Sequence, residues 1–171
     1  MLERAIERVG QAKLVNEIVV AAPHDIPCSV PIFIGDEKNV LKRYYDCASY
    51  YGANIIVRIT SDCPLVMPNT IDECVHFREI LNMDYVAAIE PNYPDGLDVE
   101  VFTYDTLERA DAETTKDSDK EHVTPYMRSN SFNHVYLDYW EGNMDKVSVD
   151  TIQDLERVRK IWIGKQKPYW L

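Results

Sequence analysis

Apolar and polar positions run along this chain in blocks whose spacing switches between helical and strand-like. Leu2, Ala5, Ile6 and Val9 recur at helical spacing with Glu and Arg between them, so the chain opens inside an amphipathic helix. No capping residue precedes it, which reads as a unit that has lost something upstream. Residues 17–22 (EIVVAA) and 31–34 (PIFI) read as short strands. Residues 23–30 between them hold two prolines and leave no room for the helix that a parallel connection usually needs. Either the two strands are not simple parallel neighbours, or a helix is gone. Asp36 is the expected cap of a helix running to Tyr51, with Val40, Leu41, Tyr44, Cys47, Ala48 and Tyr51 on one side and Gly52 as its stop. The tyrosines at that spacing are read as core rather than as a stacking surface for a base.

The chain is organised around residues 54–65, NIIVRITSDCPL. A continuous β-branched run predicts a strand buried on both faces of a parallel sheet, and Thr-Ser-Asp-Cys-Pro then breaks it. Ligands of open α/β sheets bind just beyond the carboxyl ends of strands, where Asp62 falls. Arg58, on the strand itself, needs a carboxylate or an anionic ligand. The plain alternative is that Asp62 caps its own turn and Arg58 pairs with a neighbour.

Asn69 or Thr70 is the expected cap of the next helix, which carries Ile71, Cys74, Val75 and Leu81, and residues 85–89 (YVAAI) read as a strand. Residues 91–96 form a turn cluster that leads into Leu97-Asp98-Val99-Glu100-Val101-Phe102, an alternation expected of a half-exposed strand. Its carboxylates repel one another unless something positive sits among them. Residues 118–121 (SDKE) match a capping box, and Pro125 is expected to kink the helix that follows. Residues 134–140 and 146–149 read as late strands. Asp150 is the expected cap of a last helix through Leu155, Val158, Ile161 and Trp162, and the aromatic tail at 167–171 is expected to dock on the domain or meet a second chain.

Length and composition leave this pattern within one globular domain, residues 1–171, with 46% hydrophobic and 27% charged residues. The net charge of -11 disfavours nucleic-acid polymers and acidic membranes as partners, and any phosphate ligand needs local arginines or a divalent cation. No stretch reaches membrane-spanning length and the charged start does not read as a signal peptide, so a cytoplasmic protein is the expectation. Cys28, Cys47, Cys63 and Cys74 lack metal-type spacing and are read as free thiols.

Four segments carry a resemblance: Arg58-Ile-Thr-Ser-Asp62-Cys-Pro-Leu65, Pro94-Asp-Gly-Leu-Asp-Val-Glu-Val-Phe102, Glu121-His-Val-Thr-Pro-Tyr126 and Val149-Asp-Thr-Ile-Gln-Asp-Leu-Glu156. Together they resemble the cytidylyltransferases of the spore-coat polysaccharide biosynthesis protein F type. These are relatives of the synthetases of CMP-N-acylneuraminate and CMP-Kdo. The resemblance implies a three-layer α/β/α, nucleotide-diphospho-sugar transferase-like fold with a Rossmann-like mixed sheet. It also implies transfer of CMP from CTP to a sugar hydroxyl with loss of pyrophosphate, magnesium as cofactor, and a homodimer. By position, Asp62 and Asp150 resemble the magnesium-binding aspartates, with Arg58 beside them in the catalytic set. Asp95, Gly96, Asp98 and Glu100 resemble a sugar-side acidic turn, and Glu121, His122, Thr124 and Tyr126 a second substrate wall. On residue grounds alone, Asp150 reads as a helix cap, and His122 is equally a structural hydrogen-bonding group.

The departures are as specific. The family's opening strand and basic loop of the form Ala-Arg-x-x-Ser-x-Arg-Leu-Pro-x-Lys has no counterpart in these residues, and Ser61 stands where the family has glycine. The expected consequence is a gap in the sheet and weak triphosphate binding. A catalytically dead sugar-binding or assembly module is the rival from another class. A nucleotide-sugar glycosyltransferase reading Asp98-Val99-Glu100 as a metal motif is the third.

Overall fold

The computed structural model describes residues 1–162 except 130 and 143. Its elements are, in order, α1 (Leu2–Val9), β1 (Val20–Ala22), β2 (Ile32–Ile34), α2 (Val40–Tyr51), β3 (Ile55–Arg58), α3 (Pro68–Leu81), β4 (Tyr85–Ala88), β5 (Val99–Thr103), α4 (Tyr104–Glu113), α5 (Asp117–His122), β6 (His134–Tyr136) and α6 (Ile152–Trp162).

The strands form two sheets. β1 and β2 pair in parallel, Val20 opposite Ile32, although no helix lies between them. The other sheet has the order β3-β5-β4-β6 and is mixed: β5 runs antiparallel to both β3 and β4, and β6 is parallel to β4. Among the described residues no strand joins the two sheets. Central strand β4 is buried at every position, whereas all four residues of β3 are half-buried. The expectation that β3 is buried in a parallel sheet is therefore corrected. It pairs antiparallel with β5 and has no described partner on its other edge.

Alternation along β4 and β5 separates two cores. Val86, Ala88, Val99 and Val101 join Ile71 and Cys74 of α3 and Val9 of α1 on one face. Tyr85, Ala87 and Phe102 join Leu41 and Ala48 of α2 and Leu107 and Ala110 of α4 on the other. The result is three layers, α/β/α, with helices over both faces of the larger sheet. This corrects the half-exposed reading of β5, because layers on both sides bury Val99, Glu100, Val101 and Phe102 alike. A third cluster, of Leu65, Leu97, Val147, Val149 and Val158, ties α6 to the loops at the end of the sheet.

Several caps differ from the sequence expectation. Asn39, not Asp36, caps α2 by accepting from Lys42 N–H, while Asp36 takes the amides of Lys38 and Asn39. Gly52 stops α2 in the left-handed conformation at φ 63°. Pro68 occupies the start of α3, so Met67 rather than Asn69 or Thr70 precedes its first turn. α5 begins at Asp117 after Lys116, ahead of the SDKE box, and ends before Pro125 instead of kinking there. α4 was not expected at all. Residues 146–149 are an irregular segment, not a strand. The aromatic tail at 167–171 lies outside the described residues. No described helix is long and apolar enough to cross a membrane.

Candidate active site

Three loops meet beyond the carboxyl end of β3, and backbone hydrogen bonds fasten them. Val149 N–H donates to the Asp62 carbonyl at 2.9 Å, and the amides of Val147 and Ser148 donate to the Asp95 carbonyl at 2.7 and 3.1 Å. Gly96, at φ 102°, lies so close that a Cβ there would be 2.0 Å from Ser148 N. Turns carrying Asp62, Asp95–Asp98 and Asp150 are thereby held together, although they are remote in sequence.

Sequence reasoning missed Lys146. Its ammonium bridges Asp150 at 2.5 Å and Asp95 at 3.1 Å, and these contacts raise its pKa above the ordinary lysine value. It is the positive group the acidic turn requires. The signal was present as a lone basic residue four positions before Asp150, hidden by the mistaken strand assignment. Cys63 sits between two other acids, its Sγ 3.8 Å from Asp62 and 3.9 Å from Asp98. Burial pushes this thiol up to about 12, so it is a protonated donor and not a nucleophile.

Asp98 accepts from Gly96 N–H at 2.8 Å. Burial raises its carboxyl to about 6, helped by the charges of Asp95 and Glu100 against the Gly96 hydrogen bond. An ordinary carboxyl titrates near 4, so the native state holds this proton more tightly than the unfolded chain. The associated stability is complete below about pH 4 and is lost as pH rises through about 6. Asp98→Asn is expected to gain about 1–3 kcal/mol at pH 7.5 and to flatten that decline. Urea melts of both proteins at pH 4.5 and 7.5 check it, and an unchanged pH slope in the variant would contradict it.

Two residues beyond Asp98, on β5, Glu100 is enclosed by protein. Arg58, directly opposite in register, pairs with its Oε2. The Tyr85 and Thr124 hydroxyls both donate to Oε1 at 2.6 Å. The structure therefore places Glu100 and Thr124 inside the fold. Of the second wall, Glu121 and His122 are exposed at the end of α5, and the Tyr126 hydroxyl donates to Glu113 at 2.7 Å. Among the described residues, no hydrogen bond or ion pair joins these three to the acidic loops.

Asp150 is not a helix cap. The capping pair of α6 is Thr151 and Asp154: Asp154 N–H donates to Thr151 Oγ1 at 3.2 Å, and Asp154 Oδ2 accepts from Thr151 N–H at 2.9 Å. The Asp150 side chain is left to the loop cluster. Among the described residues, no three His, Cys, Asp or Glu side chains group as a metal set. A pair of carboxylates on fastened turns still fits magnesium, which takes oxygen ligands and keeps several waters beside one or two carboxylates and substrate phosphates.

Solved structures share this architecture. A cytidylyltransferase from Leptospira borgpetersenii aligns with a TM-score of 0.86 at 25% identity, over 98% of this chain and 79% of that one. The structure of CMP:2-keto-3-deoxy-manno-octonic acid synthetase complexed with CTP aligns at 0.71 and 14% identity, over 96% of this chain and 88% of that one. The fold is that of the nucleotide-diphospho-sugar transferase-like α/β proteins. Residues 1–167 match the model of the cytidylyltransferase family, and the chain belongs to that family. An uncharacterized protein of Methanocaldococcus jannaschii is 34% identical over 99% of this chain and 73% of its own length. Spore coat polysaccharide biosynthesis protein SpsF of Bacillus subtilis is 26% identical over 81% of this chain and 60% of its own. A 3-deoxy-manno-octulosonate cytidylyltransferase of Geobacter sulfurreducens is 37% identical over 44% of this chain and 33% of its own length.

Proposed function

We propose that this chain serves cytidylyl transfer, moving CMP from CTP to a hydroxyl of a sugar acid or related sugar in polysaccharide or glycoconjugate synthesis. The observation that carries the reading is the fastening of the Asp62, Asp95–Asp98 and Asp150 turns into one acidic corner beyond β3. Asp62 and Asp150 would hold magnesium, which supplies charge neutralisation at the phosphates. Asp95 and Asp98 face the sugar side, and Asp98, near pH 6, accepts the hydrogen bond of the attacking hydroxyl and can take its proton. Lys146 neutralises part of the corner until phosphate and metal arrive. A cytoplasmic homodimer completes the proposal, to be checked by light scattering, where a monomeric mass would remove that element.

One observation favours a second reading, a sugar-binding module without catalysis: Lys146 already occupies Asp150 and Asp95. Pyrophosphate release from CTP with magnesium and a panel of sugar acids separates the two. With a net charge of -11, CTP is expected to bind more weakly than about 1 μM, or -8 kcal/mol. Turnover should be slow and abolished by Asp62→Asn. Equal release by parent and variant would remove the enzymatic reading, and sugar-acid binding with no release would favour the module.

A further inference from the structure

Lys146 opens the irregular segment that ends at Asp150, and backbone hydrogen bonds fix that segment in place. The amides of Val147 and Ser148 donate to the Asp95 carbonyl, and Val149 N–H donates to the Asp62 carbonyl. The lysine stem is thereby tethered beside the acidic turns. Its ammonium reaches Asp150 Oδ2 at 2.5 Å and Asp95 Oδ2 at 3.1 Å. Thr151 and Asp154 cap α6 between themselves, which leaves the Asp150 carboxylate no capping duty. Among the described residues its ion-pair partner is Lys146, and no cation pairs with the Asp62 side chain.

All three side chains of this bridge stay open to solvent: 44% for Lys146, 36% for Asp95 and 53% for Asp150. Ion pairs this exposed are weak, because water screens them and ordering long side chains costs entropy. The ammonium can therefore leave at little cost. A divalent ion on the same carboxylate is a stronger tenant, with twice the charge and oxygen bonds of about 2.1 Å. It and an ammonium 2.5 Å from that carboxylate repel each other at close range and do not share it.

We propose that Lys146 is a tethered competitor for the divalent cation. In the metal-free corner its ammonium stands on Asp150 and Asp95. Metal arriving at Asp62 and Asp150 expels it from Asp150, so Lys146 sets the metal concentration at which the corner loads. Its hold on Asp150 is then the resting state of the corner and not a replacement for metal. This inference rests on the reading of Asp62 and Asp150 as the metal pair, and adds the exchange to it.

Manganese, followed by the electron paramagnetic resonance of the free ion, measures binding to the full chain without nucleotide or turnover. Lys146→Met is expected to bind it about three- to tenfold more tightly than the parent, the range for two exposed pairs. Lys146→Arg keeps the charge and should stay within about twofold of the parent. Lys116→Met removes an equal charge outside the corner and should do the same. Displacement itself is read on the parent by amine acetylation quantified by mass spectrometry, which covers the case in which Lys146→Met misfolds. Saturating magnesium is expected to speed labelling of Lys146 about threefold or more while Lys116 keeps its rate. An unchanged or weaker affinity in folded Lys146→Met, equal tightening by Lys116→Met, or a constant labelling rate at Lys146 overturns the proposal. Asp150→Asn tells the two failures apart. If it abolishes manganese binding while Lys146→Met matches the parent, the competition fails alone. If Asp150→Asn binds manganese as the parent does, the metal reading of Asp150 falls and the competition falls with it.

Discussion

Glu100→Gln is expected to destabilise the fold by about 3–5 kcal/mol, the cost of leaving a buried charge without its partner. Glu100 is 4% exposed and its carboxylate serves three groups: Arg58 on Oε2, and the Tyr85 and Thr124 hydroxyls on Oε1. Glutamine keeps the shape but removes the charge opposite Arg58 and puts an NH₂ donor where one of those acceptors stood. The cost differs in kind from the loss of an exposed pair such as Arg4–Glu7, which contributes about 0–1 kcal/mol. Guanidinium denaturation measures it. The double variant Arg58→Met/Glu100→Gln should recover part of the loss, because the unpaired cation goes with it. A single variant within about 1 kcal/mol of the parent, or a double variant worse than the sum of the singles, would contradict the account.

Gly96→Ala should be the other severe change, at about 2–5 kcal/mol. A residue with a Cβ at φ 102° is strained by itself. The new carbon would also meet Ser148 N at 2.0 Å and Val147 C at 2.4 Å, both backbone atoms that no rotamer change can clear. Relief requires the 147–148 segment to move off Asp95, breaking the two amide hydrogen bonds that close the acidic corner. Denaturation gives the stability loss. Amide spectra should show shifts concentrated at residues 62, 95–98 and 146–150, and a melt within 0.5 kcal/mol of the parent would refute the close approach.

Arg58 shows what was legible and what was not. Its position in an apolar run demands an anion from sequence alone, but the identity of that anion depends on pairing. A β-branched run suggests a parallel neighbour, whereas the actual partner strand is antiparallel β5, which puts Glu100 in register. Strand direction is set by tertiary packing that periodicity does not encode. Asp150 illustrates a local ambiguity: Asp150 and Thr151 are both good caps side by side, and only the reciprocal bond with Asp154 selects the threonine. α4 was missed because strand β5 runs straight into it, with Thr103 both ending the strand and capping the helix through Thr106 N–H. The acidic turns were readable because short polar turns keep their sequence signature. Lys146 was not, since it matters through its contact with Asp95, far along the chain.

The pairing of β1 with β2 outside the larger sheet has a thermodynamic consequence. Strands of three residues, half-buried at most positions, close little surface and open at low free energy compared with fully buried β4. The amides of β1 and β2 are therefore expected to exchange with solvent ahead of those of β4.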